Sequence, residues 1–436
     1  MDIIKTVKIL FPALLISAGS ISQPTVRKEL TKSFDNYILQ HVKNNDFSGT
    51  VLIAKKDSIL FQKAYGNASA KKLNTIDTRF RISSITKTFT AAIITQLVEE
   101  GLLTFKDTVT KFIPGYPNGN KITIEHLLRH RSGIPDYASF PDFAEKMKAP
   151  MKLSEMVNLF KDKPLDFPPG SANSYSNSGY TLLAYIAELV KNKKFELLLQ
   201  DQILKPQGLL NTSIDHFADY EKAGSAAGYK IMHNRETEKV APYFIENLIG
   251  SGFLSSTSHD IYKWTNQVFS SRVFDIRKAL YGWASRNYFG YDLIEQSGRT
   301  DGFIAYTSYY LKDGLMIIYL GNIESYVFNR MKKDLAAIYY GKDYEEPEIR
   351  NTQKIGNSSK QKWVGKFQLD AATAFSIYES QNTLYFKYNN SKTAHELIPL
   401  KENGLFLRLY GVSLKLKDNL VYWVADGESK ECKRIE

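Results

Sequence analysis

The chain has 436 residues, 57 of them Lys or Arg and 46 Asp or Glu, for a net charge of +11, with 43% hydrophobic and 24% charged residues. That length predicts two domains, and the composition excludes a disordered chain or a repeat array. The basic residues are scattered, which excludes a nucleic-acid signature; they read as a solvated surface, with attraction to anionic envelope polymers as the functional alternative.

Lys5 and Lys8 precede an apolar run from Ile9 to Ala18, and small residues follow at Gly19 and Ser20. This pattern predicts a signal peptide over residues 1–22 and a periplasmic or secreted location. The run is broken by Pro12 and is short for a bilayer span, so no stable membrane span is expected after cleavage. An anchor left uncleaved is the alternative. No cysteine follows the run, which speaks against a lipid anchor, and Cys432 alone permits no intrachain disulfide.

Residues 24–46 read as a helix with Leu30, Phe34, Ile38 and Val42 on one face. A hairpin follows, Gly49 to Ala54 and Ile59 to Ala64, turning at 55–57. The segment Arg81 to Thr90 opens an amphipathic helix whose stripe is Ile85, Phe89, Ile93 and Leu97, with Ser84, Lys87, Thr88 and Ala91 on another face and Gly101 as its stop. Helical turns are expected near Ile124 to His130 and Leu153 to Phe160. A break at Phe167-Pro168-Pro169-Gly170 leads through a loop to a helix carrying Leu182, Leu183, Ile186 and Val190. Gly250 to Ser256 reads as a tight small-residue turn before a helix through Trp264. Phe303 to Leu311 and Leu315 to Leu320 read as adjacent antiparallel strands, and Val327 to Tyr340 as a final helix. The expected fold is α/β (α+β), an antiparallel sheet flanked by helices with an all-helical region. The expected boundaries are 24–345 for that domain, 346–362 for a linker, and 363–436 for a small C-terminal β-barrel, because the tail has short alternating segments and almost no helical period.

A serine one turn before a lysine at a helix start is the geometry of a Ser-x-x-Lys nucleophile. The helix dipole favours negative charge near Ser84, and burial near that end lowers the pKa of Lys87 toward a usable base. Tyr175-Ser176-Asn177 precedes the next helix. Tyr175 can take the Ser84 proton if the Lys87 charge lowers its pKa, and can then protonate the leaving group. Asn177 offers an amide that can hold Lys87 and a substrate carbonyl together.

The chain resembles the serine hydrolases of the class C β-lactamase and D-alanyl-D-alanine carboxypeptidase (penicillin-recognising) family, with their related esterases. The matching stretches are Phe47 to Ala54, Phe80 to Thr90, His126 to Pro135, Phe167 to Gly170 and Tyr175 to Tyr180. The resemblance implies a β-lactamase/transpeptidase-like fold and a covalent acyl-enzyme mechanism that uses no metal and no cofactor. It makes Ser84 the nucleophile, Lys87 its activator, Tyr175 the acid/base partner and Asn177 the positioning amide. It also implies an oxyanion hole from the backbone N–H groups of Ser84 and Arg299. The tail resembles the lipocalin-like barrel often appended to this family. The implied partners are a small-molecule or peptide substrate and cell-wall components.

The third motif departs from the family pattern. Where the family has Lys or His, a small residue and Gly, this chain has Gln296-Ser297-Gly298. Gly298 lets a substrate backbone approach, but Gln296 carries no charge and shuttles no proton. Arg299 is a candidate replacement cation for a substrate carboxylate, although its side chain points to the other face of the strand. His126 and His130 stand four apart, but Leu127 sits where the zinc-protease pattern has Glu. The expectation is an exported serine hydrolase acting on amide or ester bonds, D-alanyl peptides or esters first among them. The alternative is a non-catalytic binding protein retaining the fold.

Overall fold

In the computed structural model the described residues are 24–214, 224–231, 237–270, 280–348, 350, 357–400, 404–425 and 428–435. The expected signal segment 1–22 and part of the expected linker lie outside them.

The strand Gly49–Lys55 of the first hairpin is buried on both faces. Val51, Ile53, Ile317 and Tyr319 pack on one side against helices Pro24–Lys43 and Val327–Tyr340. Leu52, Ala54, Ile318 and Leu320 pack on the other side, in the core that also holds helices Thr86–Glu99, Asn177–Lys191 and Ser258–Phe269. Side chains alternate across a strand, so a run that is apolar throughout belongs to a sheet covered on both faces. The six strands lie in the order Ala284–Tyr288, Tyr291–Thr300, Phe303–Tyr310, Leu315–Gly321, Gly49–Lys55 and Ser58–Tyr65. Every neighbouring pair is antiparallel. The first hairpin joins the late meander through the register Leu52↔Ile318.

The edge of this sheet prepares the site. Strand Ala284–Tyr288 pairs with Tyr291–Thr300 only as far as Glu295. Beyond it, Gly298 lies against the Ser83–Ile85 turn instead of another strand. The Thr86–Glu99 helix behind that turn is locked from below, where Phe89 stacks on Trp264 at 4.3 Å and the Trp264 indole donates to Thr88 Oγ1 at 2.8 Å.

Two local expectations change. The first half of the Ser84 helix is buried all round, with Lys87, Thr88 and Ala91 as buried as Phe89 and Ile93, and only its second half, at Thr95, Gln96, Val98 and Glu99, keeps a solvent side. The small-residue stretch before Trp264 contains a strand, Leu254–Ser256, which pairs with Phe80–Arg81 and Ser213–Ile214. Small side chains let three short strands close in this crowded place.

The C-terminal part is a nine-stranded antiparallel sheet from Gly365–Gln368 to Glu428–Arg434. Its two edge strands, His395–Glu396 and Ile398–Leu400, are sequence neighbours, so the sheet curls into a near-barrel. Trp363, Phe367, Phe375, Phe386, Leu405 and Leu414 fill it. The expected linker range 346–362 contains a helical turn, Asn357–Lys360, and Arg350, which pairs with Asp46. Asp46 is fully buried and also accepts from Arg408 Nε of the near-barrel at 2.9 Å.

Candidate active site

The turn Ser83–Ile85 precedes the helix proper, so Ser84 stands at the mouth of the helix rather than within it. Ser83 has φ 49°, a left-handed conformation that costs a non-glycine residue about 1–2 kcal/mol. Within Arg81 to Thr90, Ser84 alone keeps partial solvent access.

Lys87 is fully buried one turn on. Its Nζ donates to Asn177 Oδ1 at 2.7 Å, to the Ser251 carbonyl at 2.7 Å, and lies 3.2 Å from Ser84 Oγ. Burial pulls its pKa down to about 7, with the Asp136 carboxylate opposing the drop. Tyr175 donates to Ser84 Oγ at 2.7 Å. Its ring lies 4.9 Å from Lys87 Nζ and 4.6 Å from the His130 ring. Although Tyr175 as a residue is half exposed, desolvation around its hydroxyl raises the phenol above its ordinary value, so it rests protonated. Desolvation of the phenolate, not the expected lowering by the Lys87 charge, sets the direction.

The loop carrying Tyr175 is stitched to the His130–Gly133 stretch. Ser174 N donates to His130 O at 2.9 Å and Ser176 N to His130 Nδ1 at 3.2 Å. Gly133 has φ 75°, and a Cβ there would fall 2.1 Å from Phe167 O, so glycine is needed where these two segments touch. Burial lowers His130 to about 4, with Lys87 adding to the shift. His126 instead closes a capping box, its Nδ1 accepting from Thr123 N.

On the opposite wall, a Cβ at Gly298 would come within 2.1 Å of Ile82 O and 2.9 Å of Ser84 N. The Gln296 amide is engaged at both ends: Nε2 donates to Gly282 O, and Oε1 accepts from Ser297 N at 2.8 Å. Arg299 pairs with Glu324 at 2.7 Å on the other face of the strand, so its guanidinium does not replace the missing cation beside Ser84. The structure therefore brings Ser84, Lys87, Tyr175 and Asn177 into one hydrogen-bonded group and lays Gly298 on the Ser84 turn. It directs the Gln296 and Arg299 side chains to partners of their own.

Two participants are not evident from the sequence. Ser251 contributes a backbone carbonyl, which leaves no side-chain signal. Asp136 sits one residue past the His126–Pro135 stretch and accepts from Asn177; a carboxylate ending that stretch is the only sequence cue to it.

The beta-lactamase family model matches residues 34–355. The chain belongs to the beta-lactamase family. Its members include serine hydrolases and penicillin-binding protein homologues, and this chain is 26% identical to penicillin-binding protein 4* of Bacillus subtilis over 94% of its own length and 99% of that protein. It is 25% identical to the teichoic acid D-alanine hydrolase of Staphylococcus aureus over 58% of its own length and 62% of that protein. Among solved structures it is similar to the octameric penicillin-binding protein homologue of Pyrococcus abyssi, with TM-score 0.66 at 23% identity over 93% of this chain and 99% of that one. It also resembles the fold of the D-amino acid amidase of Ochrobactrum anthropi, with TM-score 0.63 at 21% identity over 72% and 98% of the two chains. The beta-lactamase-family region ends near the start of the near-barrel, and the likeness to the Bacillus subtilis and Pyrococcus abyssi proteins extends across it.

Proposed function

We propose that the protein is an exported serine hydrolase that opens amide or ester bonds of the D-alanyl type through an acyl-enzyme on Ser84. The observation that carries this reading is the buried Lys87 amine. A neutral amine keeps two N–H donors, and two oxygens stand at 2.7 Å to receive them, Asn177 Oδ1 and Ser251 O. Its lone pair is then free for the third and longer contact, Ser84 Oγ at 3.2 Å. A pKa of about 7 makes that neutral form accessible near neutral pH.

Ser84 Oγ gives its proton to Lys87 and bonds to the substrate carbonyl carbon. The Ser84 and Arg299 backbone N–H groups receive the oxyanion. Protonated Tyr175 hands its proton to the leaving amine or alkoxide as the C–N or C–O bond breaks, and takes one back from Lys87. Water then repeats the sequence on the acyl-serine and releases the acid.

The D-alanyl assignment is supported by the relatives' names, a teichoic acid D-alanine hydrolase and a D-amino acid amidase. The net charge of +11 suits substrates presented on an anionic envelope polymer. With Gln296 bound to Gly282 and Arg299 bound to Glu324, esters and amides are preferred over substrates held by a free carboxylate.

The alternative of a non-catalytic binding protein draws only on Gln296. A panel of D-alanyl esters, D-amino acid amides, D-alanyl-D-alanine peptides and a chromogenic cephalosporin, run against Ser84→Ala, tests the proposal. Ser84-dependent turnover, highest on esters or amides, is expected. A folded wild type that turns over none of them supports the binding protein.

A further inference from the structure

Among the described residues, Asp136 is the carboxylate whose charge acts on the Lys87 amine, and the proton transfers above make no use of it. It follows the Ser132–Pro135 turn and opens the short helix Tyr137–Ser139, where its Oδ1 caps Ala138 N at 3.3 Å. Its main engagement is with Asn177. The Asn177 backbone N–H donates to Oδ1 at 3.1 Å, and Asn177 Nδ2 donates to Oδ1 at 3.2 Å and to Oδ2 at 3.1 Å. The other end of that amide, Oδ1, accepts from Lys87 Nζ at 2.7 Å.

An asparagine amide can face its surroundings in two orientations that differ by exchanging O and N. A carboxylate only accepts, so it admits only the NH2 end. With Asp136 ionised, the Asn177 oxygen must therefore point at Lys87. A flipped amide would turn its NH2 toward the lysine and remove one of the two acceptors that hold the neutral amine with its lone pair on Ser84. We propose that Asp136 is a positioning residue that fixes the Asn177 amide orientation and, through it, the place of the Lys87 amine. This rests on the reading of Lys87 as the proton acceptor of Ser84.

The groups facing Lys87 are few, and the neutral ones do not mimic this role. Tyr175 and Tyr180 present their rings, with centroids 4.9 and 5.6 Å from Nζ. His130, lowered to about 4 by burial, is neutral near neutral pH. Tyr137 stands behind Ser251, sharing a 2.7 Å bond with Ser251 Oγ, and is held protonated by burial. Asp136 supplies the negative charge that raises Lys87 against its desolvation.

Asp136→Asn tests this, because an amide in place of the carboxylate is nearly isosteric but can present NH2 to Asn177. Two readouts are taken on the full chain: the Lys87 titration midpoint, followed by the 13Cε resonance of labelled lysine and assigned with Lys87→Arg, and the rate of Ser84 labelling by a fluorophosphonate. In Asp136→Asn the Lys87 midpoint moves to lower pH and the labelling rate falls about 10²-fold. In an Asn177→Ala background the same substitution still lowers the midpoint but costs little further rate, because the positional effect runs through Asn177. If Asp136→Asn does not fold, Asp136→Ser keeps an oxygen for the Ala138 cap and takes its place. An unchanged or raised Lys87 midpoint, or a rate loss that is fully additive with Asn177→Ala, overturns the proposal. Absence of labelling in the wild type counts against the hydrolase reading alone, since the midpoint comparison needs no chemistry at Ser84.

Discussion

A lysine with no solvent contact is expensive to charge, and Lys87 sits where that expense becomes reactivity. Its neutral form grows as pH rises through about 7, so kcat/KM is expected to climb with pH through that value and level off above it. The pH profile of ester hydrolysis checks this; a rate independent of pH between 6 and 8, about one unit either side of the Lys87 midpoint, would contradict Lys87 as the base. Ser84, Lys87, Tyr175 and Asn177 are legible in the sequence because residue types and spacing carry that signal. The rest is not, for physical reasons. Asp136 acts through another side chain, Ser251 acts through its backbone, and the partner of Gln296 depends on where Gly282 lands in three dimensions. Gln296→His tests the third-motif position directly. If the position limits carboxylate recognition, activity on carboxylate-bearing peptides rises while activity on simple esters changes little. An unchanged ratio would remove that role from Gln296.

The elements that meet at Ser84 are a strand edge and a helical turn, and Gly298 is their point of contact. A methyl group there would press on backbone, Ile82 O and Ser84 N, with no flexible side chain to yield. Gly298→Ala is therefore expected to shift the Ser84 turn, cost about 1–3 kcal/mol of stability by overpacking, and cut activity by about 10²-fold. Thermal unfolding and ester hydrolysis measured together check it; wild-type activity would show that the turn can move without consequence. Most elements follow from sequence. The Pro24–Lys43 and Val327–Tyr340 helices and both hairpins have clear periods and turn residues. The all-round burial of the first half of the Ser84 helix does not, because threonine and alanine at Thr88, Thr90 and Ala91 read as a polar or neutral face until neighbouring elements close over them. The strand Leu254–Ser256 is hidden for the same reason: a leucine and two serines gain strand character only from partners distant in sequence.

At the scale of the molecule, the sheet domain and the near-barrel are tied by Asp46. This buried carboxylate meets Arg408 of the near-barrel, Arg350 of the connecting segment, and the Tyr326 hydroxyl at 3.1 Å. The Tyr326 and Phe406 rings pack edge to face beside it at 5.4 Å. Asp46→Ala would strand two arginines in a buried place, so a loss of about 3–5 kcal/mol is expected. Urea unfolding and limited proteolysis between the two parts check it; an unchanged midpoint and cleavage rate would mean the contact is not holding them. The two-part organisation is visible in the switch from helical to alternating periods, whereas the tie is not, since Asp46 and Arg408 lie far apart in sequence. On this reading the whole arrangement serves a covalent intermediate on Ser84. Intact-protein mass spectrometry of enzyme quenched during turnover of a D-alanyl ester tests it most directly. An added mass equal to one D-alanyl group, mapped to Ser84 and absent from Ser84→Ala, is the predicted result, and Ser84-independent turnover with no adduct on the folded protein would contradict it.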